Sequence, residues 1–261
     1  MIGLSLLFLA TAALFSALGQ GGGAFYVPLL LASGVEFHAA AAASQAVIVA
    51  VSLSAMAVFH RAGFVDWKLV LLIEPATNAG ALLGGYLSRY VPAGAGKALF
   101  AAVLVVGAFF MLRPVAQRAR PPRRGFSYWT RTLRGETYSV NWVVTVPLMA
   151  VAGFLAGMLG IGGGLLKVPL MVLACRIPVR VAVGSSSLMV GLTALTGLLG
   201  HGAAGHLDPS LVLPLAAAGF VGAQIGSRVS LSVDKRHLKQ AFAVLLLGVS
   251  IWMAVSVVRG A

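Results

Sequence analysis

The 261-residue sequence predicts an all-α, polytopic integral membrane protein of about eight transmembrane helices, with two short half-helices and two homologous repeats. Its composition is the first reason. The chain is 59% hydrophobic and only 10% charged, with a mean hydropathy of +0.97, where an ordinary soluble domain is about 25% charged. The second is a series of apolar segments of bilayer-spanning length. The third is a glycine motif that occurs twice. Disorder is excluded by the apolar content, and a soluble enzyme is all but excluded by the shortage of polar surface residues.

A spanning helix needs about 20 mostly apolar residues. Segments near 2–19, 39–60, 69–88, 97–112, 141–159, 181–200, 210–230 and 240–258 meet that need. The first lacks a basic n-region, so it reads as a retained membrane segment rather than a cleaved signal. Two further pieces, 24–34 and 165–175, each follow a glycine cluster. At 11 residues each they reach about 16 Å as helix, roughly half the hydrocarbon core. They fit half-helices or re-entrant hairpins. The single cysteine, Cys175, has no internal disulfide partner and reads as an inert membrane thiol.

The long polar stretch carries Arg113, Arg118, Arg120, Arg123, Arg124, Arg131 and Arg134 against Glu136. Pro121, Pro122 and Gly125 interrupt it, as in a linker. The chain therefore divides into a first membrane repeat at 1–112, a basic linker at 113–140 and a second membrane repeat at 141–261. Gly19-Gln20-Gly21-Gly22-Gly23 with Val27-Pro28-Leu29 matches Gly160-Ile161-Gly162-Gly163-Gly164 with Val168-Pro169-Leu170 at an offset of 141. At 142, Ser44 matches Ser186, Gly63 matches Gly205, Asp66 matches Asp208, Gly80 and Gly84 match Gly222 and Gly226, and Lys97 and Phe100 match Lys239 and Phe242. Duplication of this kind marks secondary transporters.

The charges choose between parallel and inverted repeats. The chain has 19 Lys+Arg against 6 Asp+Glu, a net charge of +13. Parallel repeats divide the loop Lys+Arg 10 to 8, almost without bias. If each glycine segment enters and returns, the linker, 60–68, 176–180 and 228–239 share one side, and the division is 15 to 3. Cytoplasmic loops are enriched in Lys and Arg. The repeats are thus read as inverted, the linker as cytoplasmic, and both termini as outside a plasma membrane, the inner membrane of a bacterium.

Three consecutive glycines disfavour helix by about 1 kcal/mol each. A helix break at membrane depth is tolerated where it lines a cavity. Each helix that restarts offers N-terminal amides to an anion, unobstructed by side chains over Gly21, Gly22 and Gly23 or Gly162, Gly163 and Gly164. A dinucleotide motif is excluded, because the G-x-G-x-x-G spacing fails at Ala24 and at Leu165.

The doubled Gly-x-Gly-Gly-Gly with Val-Pro-Leu resembles the sulfite exporter TauE/SafE family of membrane transporters. The run Ala182-Val183-Gly184-Ser185-Ser186-Ser187-Leu188 is similar to that family's hydroxyl-rich stretch. The resemblance covers the chain except the Arg-rich linker. It implies movement of a small anion, often sulfite, an organosulfonate or a related sulfur compound, in the outward direction. Gln20 and the Ala43-Ser44-Gln45 run depart from the family pattern.

Further polar residues fall at membrane depth. Lys167 follows Gly164 by three positions and could counter an anion. Its first-half partner is Tyr26. Glu74, whose counterpart is Ala216, could carry a coupling proton or pair with Lys167. Ser185, Ser186, Ser187, Ser44 and Gln45 can donate to an oxyanion or bond between helices. Asn78 and Gln224 are weaker candidates of that type. His60, His201, His206 and His237 read as loop or interface residues, since no metal-ligand spacing is met. Trp67, Trp129, Trp142, Tyr86, Tyr90 and Tyr138 lie near span ends, as aromatic belts do. Linker arginines could hold acidic lipid headgroups, which leaves no need for nucleic acid.

The reading is a secondary transporter, an exporter, of a small anion by alternating access, with substrate held by the glycine tips, Lys167 and the hydroxyls. No cofactor is implied. The alternative is an anion channel or a non-transporting membrane subunit. An intramembrane enzyme ranks lower, because neither G-x-S-x-G nor H-E-x-x-H occurs. The sequence leaves the anion, the direction of transport, the coupling ion and the oligomeric state open, with a homodimer among the options.

Overall fold

The computed structural model describes residues 2–112, 125–202, 208–232, 244 and 246–255. The arginines of 113–124, together with Gly205, His206, Lys235, Arg236, His237, Lys239, Phe242 and Arg259, lie outside the described residues.

The first half contains α1 (Ile2–Ser16), α2 (Gly23–Ala32), α3 (Phe37–Arg61), α4 (Trp67–Leu87) and α5 (Ala93–Leu112). The second contains α6 (Trp142–Leu159), α7 (Gly164–Pro169), α8 (Val179–Gly202), α9 (Pro209–Ser230) and α10 (Leu246–Val255). Among the described residues, five helices are long and apolar enough to cross a membrane: Phe37–Arg61, Ala93–Phe110, Trp142–Leu159, Val179–His201 and Pro209–Ser230. Three other expected spans correspond to α4, α1 and α10. Of these, α4 has 21 residues and α1 has 15.

Local chemistry sets the helix starts. Glu36 accepts from His38 N at 2.9 Å and Ala39 N at 3.3 Å, capping α3. Asp66 does the same for α4, accepting from Lys68 N at 3.1 Å, and Asp208 for α9, accepting from Ser210 N at 2.9 Å. Such caps satisfy amides that have no partner within the helix. Beyond Pro169, α7 widens into a π-turn, Leu170–Ala174. A proline lacks the amide that would continue regular bonding.

Glycines bring the helices into backbone contact. A Cβ on Gly80 or Gly84 of α4 would stand 2.2 Å from Ala150 O or 2.0 Å from Phe154 O of α6. A Cβ on Gly222 or Gly226 of α9 would stand 2.1 Å from Leu9 O or 1.8 Å from Ala13 O of α1. Each half thus lends a small-residue stripe to the other half's first helix. Lipid offers no hydrophobic drive between helices, so close packing supplies the attraction. Between these pairs, α3 and α8 pack on each other, with α3 also on α9 and α8 also on α4.

The described part of the expected linker corrects the wholly helical prediction. Strands β1 (Tyr128–Leu133) and β2 (Glu136–Asn141) form an antiparallel hairpin with Tyr128 opposite Asn141 and Leu133 opposite Glu136. The two-residue turn has φ of 50° at Arg134 and 81° at Gly135, the positive pair that matches strand twist. Thr130 faces Ser139 and Thr132 faces Thr137 through hydroxyl contacts of 3.1 and 2.9 Å. On the other face, Tyr138 and Val140 are buried against Leu69, Ile73, Met171 and Val181. Tyr138 is therefore no belt residue. Its hydroxyl donates to Asp66 Oδ2 at 2.8 Å, and Arg131 pairs with the same oxygen at 3.1 Å. Burial, and then the Asp66 carboxylate, push the Tyr138 hydroxyl well above its ordinary range. The equivalent Asp208 is exposed, and the Ser210 hydroxyl holds its carboxyl below the usual range.

Candidate functional site

The two glycine clusters adopt the same backbone. Gly19, Gly21 and Gly22 have φ of 70°, 77° and 95°; Gly160, Gly162 and Gly163 have 74°, 65° and 83°. These are left-handed conformations that residues with a side chain rarely adopt. The chain reverses there, and α2 and α7 begin after Gly22 and Gly163 with no side-chain cap.

The clusters cross in contact. A Cβ on Gly23 would lie 2.6 Å from Ile161 Cα, and one on Gly164 would lie 2.5 Å from Gln20 Cα. The last glycine of each cluster is thus required by the backbone of the other. Gly21 and Gly162 both abut Ile48 of α3 and Val190 of α8, which are themselves partners at the 142 offset.

The helices around the crossing tie it down reciprocally. Ser44 of α3 donates to Gly160 O at 2.8 Å, and Ser186 of α8 donates to Gly19 O at 2.7 Å. Each hydroxyl satisfies a carbonyl that the break releases in the opposite half. Gln45 turns its amide to Gly157 O at 2.6 Å. Ser187 donates within α8 to Gly184 O at 2.6 Å. Ser185 accepts from Asp66 N at 2.9 Å, below the hairpin. Ser44, Ser186 and Gln45 are therefore brought to the breaks, their donors engaged by backbone carbonyls, whereas Ser187 bonds within its own helix and Ser185 lies at Asp66 N, away from the breaks. His201, expected in a loop, is buried in the last turn of α8, between Ser88 Oγ at 3.2 Å and Gly157 O at 2.9 Å.

Lys167 folds back over Gly163, where a Cβ would lie 3.4 Å from Lys167 Cε. It is fully buried. Its ammonium donates to Glu74 Oε1 of α4, to Met189 O at 3.1 Å and to Thr193 Oγ1 at 2.5 Å, both of α8. Thr193 in turn lies 3.2 Å from Glu74 Oε2 and 3.4 Å from Asn78 Oδ1. An ammonium has three N–H donors, and all three are used. The cluster has no counterpart across the repeat. The positions matching Lys167, Met189, Thr193, Glu74 and Asn78 hold Tyr26, Val47, Val51, Ala216 and Phe220. Tyr26 also covers its glycine, Gly22, but stacks on Phe8 with ring centroids 4.6 Å apart.

The family model described as "Sulfite exporter TauE/SafE" matches residues 4–253. The chain belongs to the TauE/SafE family. Its relatives include the "Probable membrane transporter protein YunE" of Bacillus subtilis, 26% identical over 245 residues, with 89% of each chain covered. A "Probable membrane transporter protein" of Xylella fastidiosa is 28% identical, covering 90% of this chain and 88% of its own. The "Probable membrane transporter protein y4hK" of Sinorhizobium fredii is 26% identical, covering 94% and 95%. No solved structure matches the chain. As a TauE/SafE chain, the protein is a membrane transporter.

Sequence reasoning missed two members of the buried cluster, Thr193 and the Met189 carbonyl. Thr193 stands in an otherwise apolar stretch of α8, and its hydroxyl was the available signal. The carbonyl had none.

Proposed function

We propose that this TauE/SafE chain is a secondary transporter that exports a small anion such as sulfite, an organosulfonate or a related sulfur compound. The observation that carries the proposal is Lys167, a buried cation over the N-cap glycine of α7, at the crossing of two broken helices. A charge at membrane depth is costly and marks a transport path more often than a scaffold. Crossed breaks between repeats are where transporter folds keep their substrate. The glycine tips at Gly21, Gly22, Gly23, Gly162, Gly163 and Gly164, with Lys167, hold the anion. Ser44, Gln45, Ser185, Ser186 and Ser187 support it from α3 and α8, and Glu74 handles the coupling proton.

The two halves are inverted repeats that rock about the crossing, exposing the site alternately. The positive-charge division of 15 to 3 supports a cytoplasmic linker and outward termini in the plasma membrane. The arginines of the linker meet acidic lipid headgroups. The chain performs no covalent chemistry.

Proteoliposomes loaded in turn with sulfite, sulfate, thiosulfate, sulfoacetate and acetate test the reading. Saturable flux of at least one anion, lost in Gly163→Leu that still inserts, supports it. No saturable flux of any of them removes it.

A further inference from the structure

The cation that suits an anion best is already occupied. Lys167 spends its three N–H groups on Glu74, Met189 O and Thr193. An entering anion must displace one of them. Met189 O belongs to the α8 backbone, and Thr193 is neutral and bonded on to Glu74 and Asn78. Glu74 is the one partner whose place an anion can take charge for charge. A displaced carboxylate, however, would remain buried on α4 with 3% exposure and no cation. A buried charge stripped of its partner is strongly unfavourable.

Few other groups could relieve it. On α4 the remaining ionisable side chains are Lys68 and Tyr86, toward the two ends, with Asp66 at the cap. The facing α6 has none. In α8, Arg180 and His201 stand in the first and last turns. On α7 there is Lys167 alone. The hairpin's Arg131 is held by Asp66.

We propose that Glu74 is the resident counter-ion of Lys167, and that a singly charged anion replaces it only as Glu74 takes up one proton. This rests on the anion-transport reading and adds its stoichiometry. The balance holds whichever atom carries the proton in the resting pair. Glu74 and Lys167 together hold one exchangeable proton when empty and two, an acid and an ammonium, when the anion is bound. The one covalent change is a single new bond to hydrogen, O–H at the Glu74 carboxyl from an ion pair or N–H at Lys167 from a neutral pair. The loaded site is as neutral as the empty one, so anion and proton cross together and the flux carries no net charge. Thr193 and Asn78 remain beside the neutral acid as hydrogen-bond partners.

Isothermal titration of the purified full chain with methanesulfonate, a singly charged anion at pH 6–8, and with sulfite provides the test. Buffers of different ionisation enthalpy report protons taken up. Wild-type protein is expected to bind one proton per methanesulfonate, with affinity falling about tenfold per pH unit. Glu74→Gln, which mimics the protonated acid, is expected to bind with no proton uptake and no pH slope. Binding by wild-type protein without proton uptake overturns the proposal and leaves anion transport standing, as does a Glu74→Gln variant that keeps the full slope. Absence of binding by both anions overturns this proposal, and the transport reading falls with it when none of the five anions shows saturable flux in proteoliposomes either.

Discussion

Replacing Lys167 by Met removes the charge while keeping a side chain of similar length. Three hydrogen bonds vanish, among them the ion pair with Glu74, and the buried carboxylate loses its cation. Breaking a buried pair from one side costs about 3–5 kcal/mol, whereas replacing both partners with uncharged groups is close to neutral. At about 2–4 °C per kcal/mol for a chain of this size, Lys167→Met lowers the melting temperature by roughly 6–20 °C. The double variant Lys167→Met/Glu74→Gln recovers most of that loss. Thermal unfolding of the purified protein in detergent at pH 7.5 measures both. If the single variant melts with the double, the pair is not the isolated buried contact described here, and the counter-ion argument fails with it.

Reciprocal capping makes a symmetric prediction: Ser44→Ala and Ser186→Ala each leave a break carbonyl unsatisfied, costing about 1–3 kcal/mol, read as similar drops in melting temperature. Gly23→Ala and Gly164→Ala force a Cβ onto opposing backbone at 2.6 Å or less and are expected to reduce folded yield in detergent, where Gly94→Ala, with nothing within 4 Å, has little effect. Hairpin docking depends on a protonated Tyr138. Its folded value lies above the ordinary tyrosine value of 10.0, so the stabilisation is complete below about pH 10 and is lost as pH rises further. Tyrosinate absorbance of wild-type protein, set against Tyr138→Phe, is expected to reveal one tyrosine titrating later than a free phenol.

Much of the scaffold was legible because apolar length and glycine chemistry are local signals. The helix breaks follow from triplets no other residue could replace, and their equivalence from matches in register. Pairing was harder to read. The serine run reads as ligand lining slightly ahead of helix contact, and only three-dimensional placement assigns Ser186, and Ser44 in the first half, to carbonyls of the opposite half. Glu74 and Lys167 are 93 residues apart, and no periodicity joins them. The hairpin was hidden by its arginines, although the alternation through Thr130, Thr132, Thr137 and Ser139 around Arg134-Gly135 was present. His201 reads as a loop residue because the apolar pattern fades there, one residue before the helix ends.

The central claim is that the transported anion is held at Lys167, and the double variant Lys167→Met/Glu74→Gln isolates it, since the cation is lost without leaving a buried charge. Saturable anion flux should be measured in proteoliposomes holding equal amounts of folded wild-type and double-variant protein. The account predicts that flux in the variant falls at least tenfold. Flux within twofold of wild type would contradict it.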